Sequence, residues 1–475
     1  MAETPRAPTD KPLSLQPLLW LVSASFFMQT LDATIVNTAL PAMAQSLGEG
    51  ALRMQSVVIA YSLTMAMLIP ASGWLADRFG IRRAFMSAII VFTGGSILCA
   101  ASHSLLALTA ARVLQGAGGA MLLPIGRLAL LQTFPRERLL PAMSFVAIPG
   151  LVGPLVGPTL GGWLVEVASW HWIFLINVPI GIAGGIATMR HMRLPRVTSV
   201  PPFDFAGYAL LALGMITISI GLDGLSELKL HHATVLLLLV FGLASLVGYW
   251  LRATQQPHPL FAPSLFRIRT FGIGLLGNLF ARLGNGSMPY LIPLFLQVGL
   301  GFSPFHAGLM LLPTSLSAML TKRAVTSLIH RFGYRRVLVA NTLLVGLAMA
   351  SFALLSRATP LSLMLPLLAV LGVVNSLQFT AMNTLTLKDL NGPEASSGNS
   401  MLSMVQMLAM SLAVAAAAGL LAGFTESFGH ETDLKVFQAT FLCVGLMTTA
   451  SAWIFWQLPN DDPGRPDPGD VPEMS

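Results

Sequence analysis

The sequence predicts an all-α polytopic membrane protein with fourteen transmembrane helices, arranged as two six-helix repeats and a two-helix insert. Of its 475 residues, 54 % are hydrophobic and 10 % are charged, and the mean hydropathy is +0.73. A soluble chain carries roughly 25 % charged residues. The sequence Arg-Phe-Gly-x-Arg-Arg also occurs twice, at Arg78 and, 253 residues later, at Arg331. Two related halves in a helical membrane protein are typical of transporters.

Fourteen apolar runs are long enough to cross roughly 30 Å of hydrocarbon, which takes about 20 helical residues. They lie near 18–40, 57–76, 85–101, 105–125, 141–165, 173–192, 207–222, 234–251, 271–296, 308–329, 337–356, 360–382, 397–423 and 436–458. The two repeated turns are eight spans apart, whereas a plain six-plus-six chain would separate them by six. Two extra helices therefore lie between the halves. The seventh and eighth runs are nearly free of polar residues, which favours lipid-facing packing helices there.

This count predicts the division of the chain. Residues 1–17 form a cytoplasmic tail, 18–196 an N-terminal six-helix bundle, 197–270 the insert with its linkers, 271–458 a C-terminal six-helix bundle, and 459–475 a disordered cytoplasmic tail. The first tail lacks the apolar core and small-residue cleavage site of a signal peptide. Counted from a cytoplasmic N-terminus, even-numbered loops carry fifteen Lys and Arg and odd-numbered loops carry four. The positive-inside rule therefore places both termini in the cytoplasm.

Asp32 is the only carboxylate well inside an apolar run. Burying an unpaired charge at mid-membrane costs at least about 3 kcal/mol, so such a residue faces a cavity or a partner. At 100° per residue, Gln29 lies beside Asp32, while Asn37 lies on the opposite side of the helix. We expect Asp32 to bind and release a proton, or to contact substrate, with Gln29 and Asn37 near the cavity. A static contact between helices is the alternative.

The fourth span places Arg112 and Gln115 on one face with two glycines. Glycine allows close helix approach, so the arginine should point inward. Arginine does not lose its proton, but it can tune a neighbouring carboxylate or hold an anion. We therefore expect Arg112 to take part in proton coupling and Gln115 to face the substrate cavity. A purely structural anchor is the alternative for the arginine.

The fifth span is dense in glycine and proline, with Gly153, Gly157 and Gly161 at i, i+4 and i+8. This spacing makes a flat groove for another helix, and Pro154 and Pro158 remove backbone donors and bend the segment. We expect a helix that pivots. A packing seam alone is the alternative.

The ninth span carries a polar stripe at i, i+4 and i+7, formed by Asn278, Arg282 and Asn285. The offset between the charged turns maps this stripe, within one residue, onto the one that contains Gln29 and Asp32. Both halves thus send polar groups inward from equivalent helices, where a midplane site is expected. We place the stripe in the substrate cavity, with Gln406 from a weaker stripe near the C-terminus. A buried ion pair is the alternative for Arg282.

Several stretches together resemble signature motifs of the major facilitator superfamily, and more narrowly of its fourteen-helix drug:proton antiporter branch. They are Leu31-Asp-Ala-Thr-Ile-Val-Asn37, Gly73-Trp-Leu-Ala-Asp-Arg-Phe-Gly-Ile-Arg-Arg83, Leu108 to Gly116, Gly150 to Gly162, and Trp170-His-Trp-Ile-Phe-Leu-Ile-Asn-Val-Pro-Ile-Gly181. The resemblance covers nearly the whole chain. It implies a bacterial inner-membrane exporter that is driven by inward proton flow, with no cofactor.

The resemblance also assigns a gating role to the charged turns. Gating residues in the first turn are Gly73, Asp77, Arg78, Gly80, Arg82 and Arg83, and in the second Arg331, Gly333 and Arg335. The resemblance implies that the first turn forms a cytoplasmic latch between the second and third helices. The second copy has Thr326 and His330 in place of Gly73 and Asp77, so its latch lacks the acid and is expected to be looser.

We therefore predict a proton-driven antiporter of small molecules. Exporters of lipophilic cations should hold spare carboxylates, whereas the spans here contain one acid against Arg112, Arg282, Lys322 and Arg323. This balance favours anionic carboxylates or metal chelates over cationic drugs. A proton symporter for uptake and a non-transporting membrane sensor are the alternatives.

Other classes of protein are not favoured by the sequence. It shows no nucleophile–base pair, phosphate-binding loop or metal-ligand cluster, so we expect no enzyme, cofactor or metal site. The two cysteines, Cys99 and Cys443, lie in separate apolar runs and should be free thiols. Basic residues are scattered through loops, which argues against nucleic acid binding. The expected partners are the lipid bilayer and a small-molecule substrate, and we expect a monomer.

Overall fold

The structure, a computed structural model, describes residues 15–192, 200, 202–224, 232–428 and 433–459. All regular secondary structure in these residues is helical. Twelve of their helices are long and apolar enough to span a membrane. Two further spans, α9 and α10 below, are broken and less apolar, and they complete the predicted fourteen. The two predicted tails, 1–17 and 459–475, lie almost wholly outside the described ranges, and so does the disorder predicted for the second.

The spans begin and end as follows: α1 Leu15–Leu47, α2 Gln55–Phe79, α3 Ile81–Ala100, α4 Leu105–Thr133, α5 Arg136–Val167, α6 Trp172–Leu175 with Asn177–His191, α7 Phe205–Gly224, α8 His232–Ala253, α9 Arg269–Asn285 with Met288–Leu294 and the π-helical Phe295–Gly299, α10 Pro304–Met310 with 312–332, α11 334–350, α12 Leu361–Leu387, α13 Gly392–Phe428, and α14 Leu434–Ala450 with Ala452–Trp456.

The two charged turns have the same backbone geometry. Gly80 has φ of +86° and ψ of 139°, and Gly333 has φ of +75° and ψ of 160°. Glycine adopts positive φ without steric cost, unlike residues with a Cβ. The sequence placed a loop at 330–336, but helix continues to both sides of Gly333. The chain thus reverses at a single glycine in each half. The flanking arginines stay helical, and their charged ends can still reach water.

Each half forms a six-helix bundle. In the first, α1 packs along α5, and α3 lies against α4 and α6; in the second, α10 and α11 pack against α12 and α14. The bundles meet along two seams, α2 with α13 and α5 with α10. We call the end where α1 begins and α14 ends the terminal end, and the opposite end the distal end.

The insert lies outside both bundles, beside the seam between α2 and α13. Gln55 at the start of α2 donates to Asp223 near the end of α7 at 2.8 Å, and the hydroxyls of Ser219 on α7 and Ser411 on α13 are 3.4 Å apart. Helix α8 packs mainly on α7 and leaves a wide apolar face open, with Leu237 69 % exposed. The prediction of two apolar packing helices agrees with this arrangement.

Candidate functional site

Asp32 lies in the interior of the N-terminal bundle, fully shielded from solvent. Its Oδ2 accepts a hydrogen bond from Arg112 Nη1 of α4 at 2.6 Å, which is also a salt bridge. Its Oδ1 accepts from Gln115 Nε2 at 2.8 Å and from Asn177 Nδ2 of α6 at 3.1 Å. One carboxylate therefore ties α1 to both α4 and α6.

Arg112 is only 1 % exposed, and it has several partners besides Asp32. Its Nε donates to the Val57 carbonyl of α2 at 3.3 Å, and Nη1 donates to Gln115 Oε1 at 2.6 Å. The guanidinium also lies 4.0 Å from the ring centroid of Tyr61, a cation–π contact. The arginine can thus keep several contacts when the charge on Asp32 changes.

Sequence reasoning missed three members of this cluster. Asn177, Ser96 and Tyr61 were not assigned a role, although Asn177 lies in a stretch that carried the family resemblance. Ser96 Oγ accepts from Gln115 at 2.8 Å and from Asn177 at 3.4 Å, and it donates to the Phe92 carbonyl. The signal in the sequence was that Asn177 is a polar residue in a nearly apolar span. Many residues without a chemical role share that property.

A cavity of about 450 Å³ lies between the bundles, on the other side of α1 from Asp32. It is lined by Thr34 and Asn37 of α1, four residues of α5, and a larger group from the C-terminal bundle that includes Arg282, Asn285, Thr314, Lys322, Asn375 and Phe379. Most of the remaining lining is aliphatic, proline or methionine. This size and mixed lining are typical of sites for small organic ligands.

The charged residues that line the cavity are both cations, Arg282 and Lys322. Arg282 Nε donates to Asn278 Oδ1 at 3.3 Å, and its guanidinium lies 4.8 Å from the Phe379 ring centroid. Within the described ranges neither cation has a carboxylate within ion-pair distance, and Arg282 Nη2 has no hydrogen-bond partner. An anionic ligand would supply the missing acceptor.

The structure separates residues that the sequence placed together. Asn37, Arg282 and Asn285 line the cavity. Gln115, expected there, instead belongs to the Asp32 cluster, because the face of α4 with Arg112 turns into its own bundle. Gln29 is also buried away from the lining. Its carbonyl oxygen has no hydrogen-bond partner in the described part of the chain.

Two further residues expected in the cavity support it from behind. Asn278 donates to Thr386 Oγ1 at 3.3 Å and accepts from Arg282, and Gln406 donates to Asn383 at 2.7 Å. Both lie outside the lining; Asn278 contacts the arginine directly, and Gln406 donates to Asn278 Oδ1 at 3.4 Å. The side chain of Arg323 is outside the described part of the structure.

The glycines of α5 bring its backbone against α1. A Cβ at Gly153 would overlap Thr30 Oγ1, one at Gly157 would overlap Thr34 Oγ1, and one at Gly161 would approach the Ile35 carbonyl. Pro154 and Pro158 of the same helix line the cavity. Helix α5 thus contacts α1 on one side and the cavity on another.

The bundles are closed against each other at the distal end. A Cβ at Gly162 of α5 would overlap the Pro304 carbonyl, and one at Gly308 of α10 would overlap that of Pro158. Glu166 Oε1 accepts from the Phe305 backbone N–H at 2.9 Å. Gln297 of α9 donates to the Thr38 carbonyl at 2.9 Å. These contacts seal the cavity from the distal side.

The charged turns lie at the terminal end. Arg82 donates to the Met189 carbonyl near the end of α6 at 2.8 Å. Its counterpart, Arg335, lies 4.9 Å from the Trp456 ring at the end of α14. In each bundle this arginine therefore holds the last helix.

The acid of the first turn does not take part in that contact. Within the described ranges, Asp77 makes no ion pair. The expected latch between Asp77 and the arginines is not formed in this conformation. Gly73 borders open space, and the exposed Arg78, Arg83 and Arg331 lie at the rim.

No group of three or more His, Cys, Asp or Glu side chains that could hold a metal occurs within the described ranges. Cys99 and Cys443 are free thiols, and Cys99 lies 3.7 Å from Gln115 Oε1.

Comparisons with known proteins agree with this geometry. The model of the "Major Facilitator Superfamily" matches residues 22–414 and 275–473. Proteins described as "Putative multidrug resistance protein MdtD" are 51 % identical over 455 residues in Serratia proteamaculans, where 94 % of each chain is covered, and 50 % identical over 459 residues in Escherichia coli, where 95 % of this chain and 97 % of the relative are covered.

Among solved structures, the nucleoside transporter NupG has a TM-score of 0.67 at 13 % identity, over 92 % of this chain and 98 % of that one. An auto inhibited POT family peptide transporter has a TM-score of 0.67 at 15 % identity, over 95 % and 99 % of the two chains. At these identities the likeness concerns the fold.

Proposed function

Since this chain belongs to the Major Facilitator Superfamily and is a membrane transporter rather than an enzyme, we propose that it is a proton-driven antiporter that exports small molecules by alternating access. The observation that carries the proposal is the position of Asp32. The carboxylate is buried inside one bundle and paired with Arg112 at 2.6 Å, on the opposite side of α1 from the cavity. Proton and substrate then bind at separate places on the same helix.

Protonation of Asp32 removes the charge that holds Arg112 to α1. Because Arg112 keeps its contacts with Val57, Gln115 and Tyr61, it stays with α2 and α4 when the ion pair is lost. A buried ion pair that loses one charge is strongly destabilised, by about 3–5 kcal/mol. Such an energy is large enough to change the packing of α1 on α4.

Helix α1 carries this change to the cavity. Thr34 and Asn37 line the cavity, and Thr34 also packs on Gly157 of α5. A shift of α1 therefore alters the cavity wall and the α1–α5 contact together. Helix α5 continues to the distal seam with α10, which must open if substrate is to leave on that side. Movement of α1 and α5 thus links the proton site to the distal seam.

The substrate that the cavity favours is an anion. Its two charged lining residues, Arg282 and Lys322, are cations, and Arg282 Nη2 lacks a hydrogen-bond partner within the described ranges. Arginine presents a fork of donors that matches a carboxylate. Carboxylate metabolites or metal–carboxylate chelates fit this charge, whereas a cationic drug would meet repulsion.

The protein works in the bacterial inner membrane as a monomer, with both termini in the cytoplasm and no cofactor. This orientation follows the excess of Lys and Arg in the even-numbered loops. It makes the terminal end cytoplasmic and the distal end periplasmic, so the sealed conformation described above faces the cytoplasm. The proton gradient then provides the driving force.

Direction of flux tests the mechanism. Labelled citrate and ethidium are offered to inverted membrane vesicles, whose lumen corresponds to the periplasm, under an imposed pH gradient. Antiport predicts uptake when the lumen is acidic, whereas symport predicts uptake when the lumen is alkaline. A sensor predicts no flux of any probe. Uptake of ethidium alone would overturn the anionic assignment and leave antiport intact, and vesicles with Asp32→Asn serve as the coupling control.

A further inference from the structure

One amide that bonds the Asp32 carboxylate carries an oxygen that the ionised carboxylate does not use. Asn177 is fully buried, and its Nδ2 donates to Asp32 Oδ1 at 3.1 Å and to Ser96 Oγ at 3.4 Å. Its Oδ1 is also buried and has no hydrogen-bond partner among the described residues. An idle buried acceptor costs free energy, so its presence next to a buried acid needs a physical reason.

The acceptors of Gln115 and Ser96, which share these hydrogen bonds, are occupied. Gln115 Oε1 already accepts from Arg112 Nη1 at 2.6 Å, and Ser96 Oγ accepts from two amides while its own hydrogen bonds the Phe92 carbonyl. All the groups that contact the Asp32 carboxylate oxygens are donors. Besides Asn177 Oδ1, the buried Gln29 Oε1 and Tyr61 Oη also lack partners among the described residues. Of these three side chains, Asn177 is the one whose amide already bonds the Asp32 carboxylate, so turning that amide over would bring a free acceptor to the new O–H of a protonated Asp32.

We propose that Asn177 is a positioning residue for proton coupling, whose amide donates to ionised Asp32 and turns over to accept from protonated Asp32. A rotation of about 180° about the Cβ–Cγ bond exchanges the amide nitrogen and oxygen at nearly the same position. The amide therefore serves either protonation state with one hydrogen bond. This inference rests on the proposed protonation of Asp32, and it adds an amide that stays bonded to the acid in both protonation states.

The position of Asn177 in the chain suits this role. It is the first residue of the long segment of α6, directly after the helix break at Ile176. Its side chain is thus fixed to α6 while the acid belongs to α1. When the amide turns over, the contact between α1 and α6 persists, so the movement after protonation is confined to the contact between α1 and α4.

The test is an infrared titration of the purified protein in lipid, without substrate. The carbonyl stretch of a buried protonated carboxylic acid is followed with pH, and its loss in Asp32→Asn assigns it. Asn177→Leu and the smaller Asn177→Ala remove a charge-assisted bond from the ionised form and a weaker neutral bond from the protonated form, so the midpoint should move to higher pH by roughly one unit. Asn177→Gln, which keeps an amide, should stay within a few tenths of a unit of the wild type.

The matched control is Asn341→Leu in the C-terminal bundle. Asn341 is also a buried amide whose oxygen lacks a partner within the described ranges, but it contacts Gln378 and the Val374 carbonyl rather than an acid. It should leave the midpoint unchanged. An unmoved midpoint in both Asn177→Leu and Asn177→Ala, or an equal shift in the control, would overturn the role of Asn177. A titrating band that survives Asp32→Asn unaltered would instead overturn the protonation of Asp32, and with it the proposed coupling.

Discussion

The two bundles use their polar residues in opposite ways. The N-terminal bundle turns its charges inward, with Asp32 and Arg112 paired and no more than 1 % exposed. The C-terminal bundle holds its buried polar cluster neutral, through Asn341, Gln378 and Thr342, and presents Arg282 to the cavity. On the proposed mechanism, this difference means that the N-terminal bundle binds the proton and the C-terminal bundle binds the charge of the substrate.

The sharpest way to break this comparison is to remove the acid. Asp32→Asn keeps the shape and the hydrogen bond to Arg112 but cannot exchange a proton, so we expect at least a tenfold loss of transport with normal membrane insertion. Initial rates in inverted vesicles, compared at equal protein level, measure it. Asp223→Asn, a carboxylate on the insert, is the control and should stay within twofold. Wild-type pH dependence in Asp32→Asn would contradict the assignment.

The reciprocal change concerns the cation of the other bundle. Arg282→Gln should raise the KM for a transported anion about tenfold, because a charge-assisted hydrogen bond contributes on the order of 1.5 kcal/mol. It should leave the midpoint of the infrared titration unchanged, since Arg282 has no contact with Asp32. Lys322→Gln tests the second cation in the same assay. If Arg282→Gln moved the midpoint and left KM unchanged, the division between the bundles would be wrong.

The contact between α1 and α5 leaves no room for an added side chain at Gly157. A methyl at Gly157 would overlap Thr34 Oγ1, so Gly157→Ala should destabilise the protein by about 1–3 kcal/mol. Thermal unfolding in detergent measures the loss. Adding Thr34→Ala should restore part of it, and Gly94→Ala, whose Cβ would meet open space, should have almost no effect. Equal losses at Gly157 and Gly94 would mean that the contact is not close.

The smallest effect is expected at the distal seal. Glu166 bonds the Phe305 N–H across the bundles, and the site is exposed. Glu166→Gln should therefore raise the population open at the distal end by no more than about fivefold. Distances between spin labels on the loops before α2 and α12 report this population. Glu49→Gln, which removes an ion pair with Arg53 inside one bundle, is the control. An equal response in both variants would show that Glu166 does not hold the seal.

The fold could be predicted from the sequence because hydrophobic length and a repeated charged turn are local signals. The comparison of Gly80 with Gly333 confirms the repeat at the level of backbone angles. The broken spans α9 and α10 were harder, since polar stripes and helix breaks lower their apolar content. Even there, the position of each run was recognisable within a few residues.

The site was less accessible to sequence reasoning. Periodicity gives the angle between Gln29, Asp32 and Asn37 around α1, but it does not say which side faces the cavity. Gln115 was placed in the cavity for the same reason, although α4 turns that face toward α1. Asn177 was missed because its contact with Asp32 depends on α6 packing beside α1, which only the folded bundle shows. Arg282 was placed near the centre because a cation within a span has few other places to lie.

The position of α7 has a mechanical consequence. This helix is bonded to α2 of one bundle through Asp223 and to α13 of the other through Ser219. If the bundles rotate against each other, as alternating access requires, α7 cannot follow both. Its shorter polar contact is the 2.8 Å bond to α2, whereas its packing on α13 is more extensive, so the rotation would strain one of these two contacts. The insert would then restrain the rotation along the seam between α2 and α13 and leave the seam between α5 and α10 free to separate.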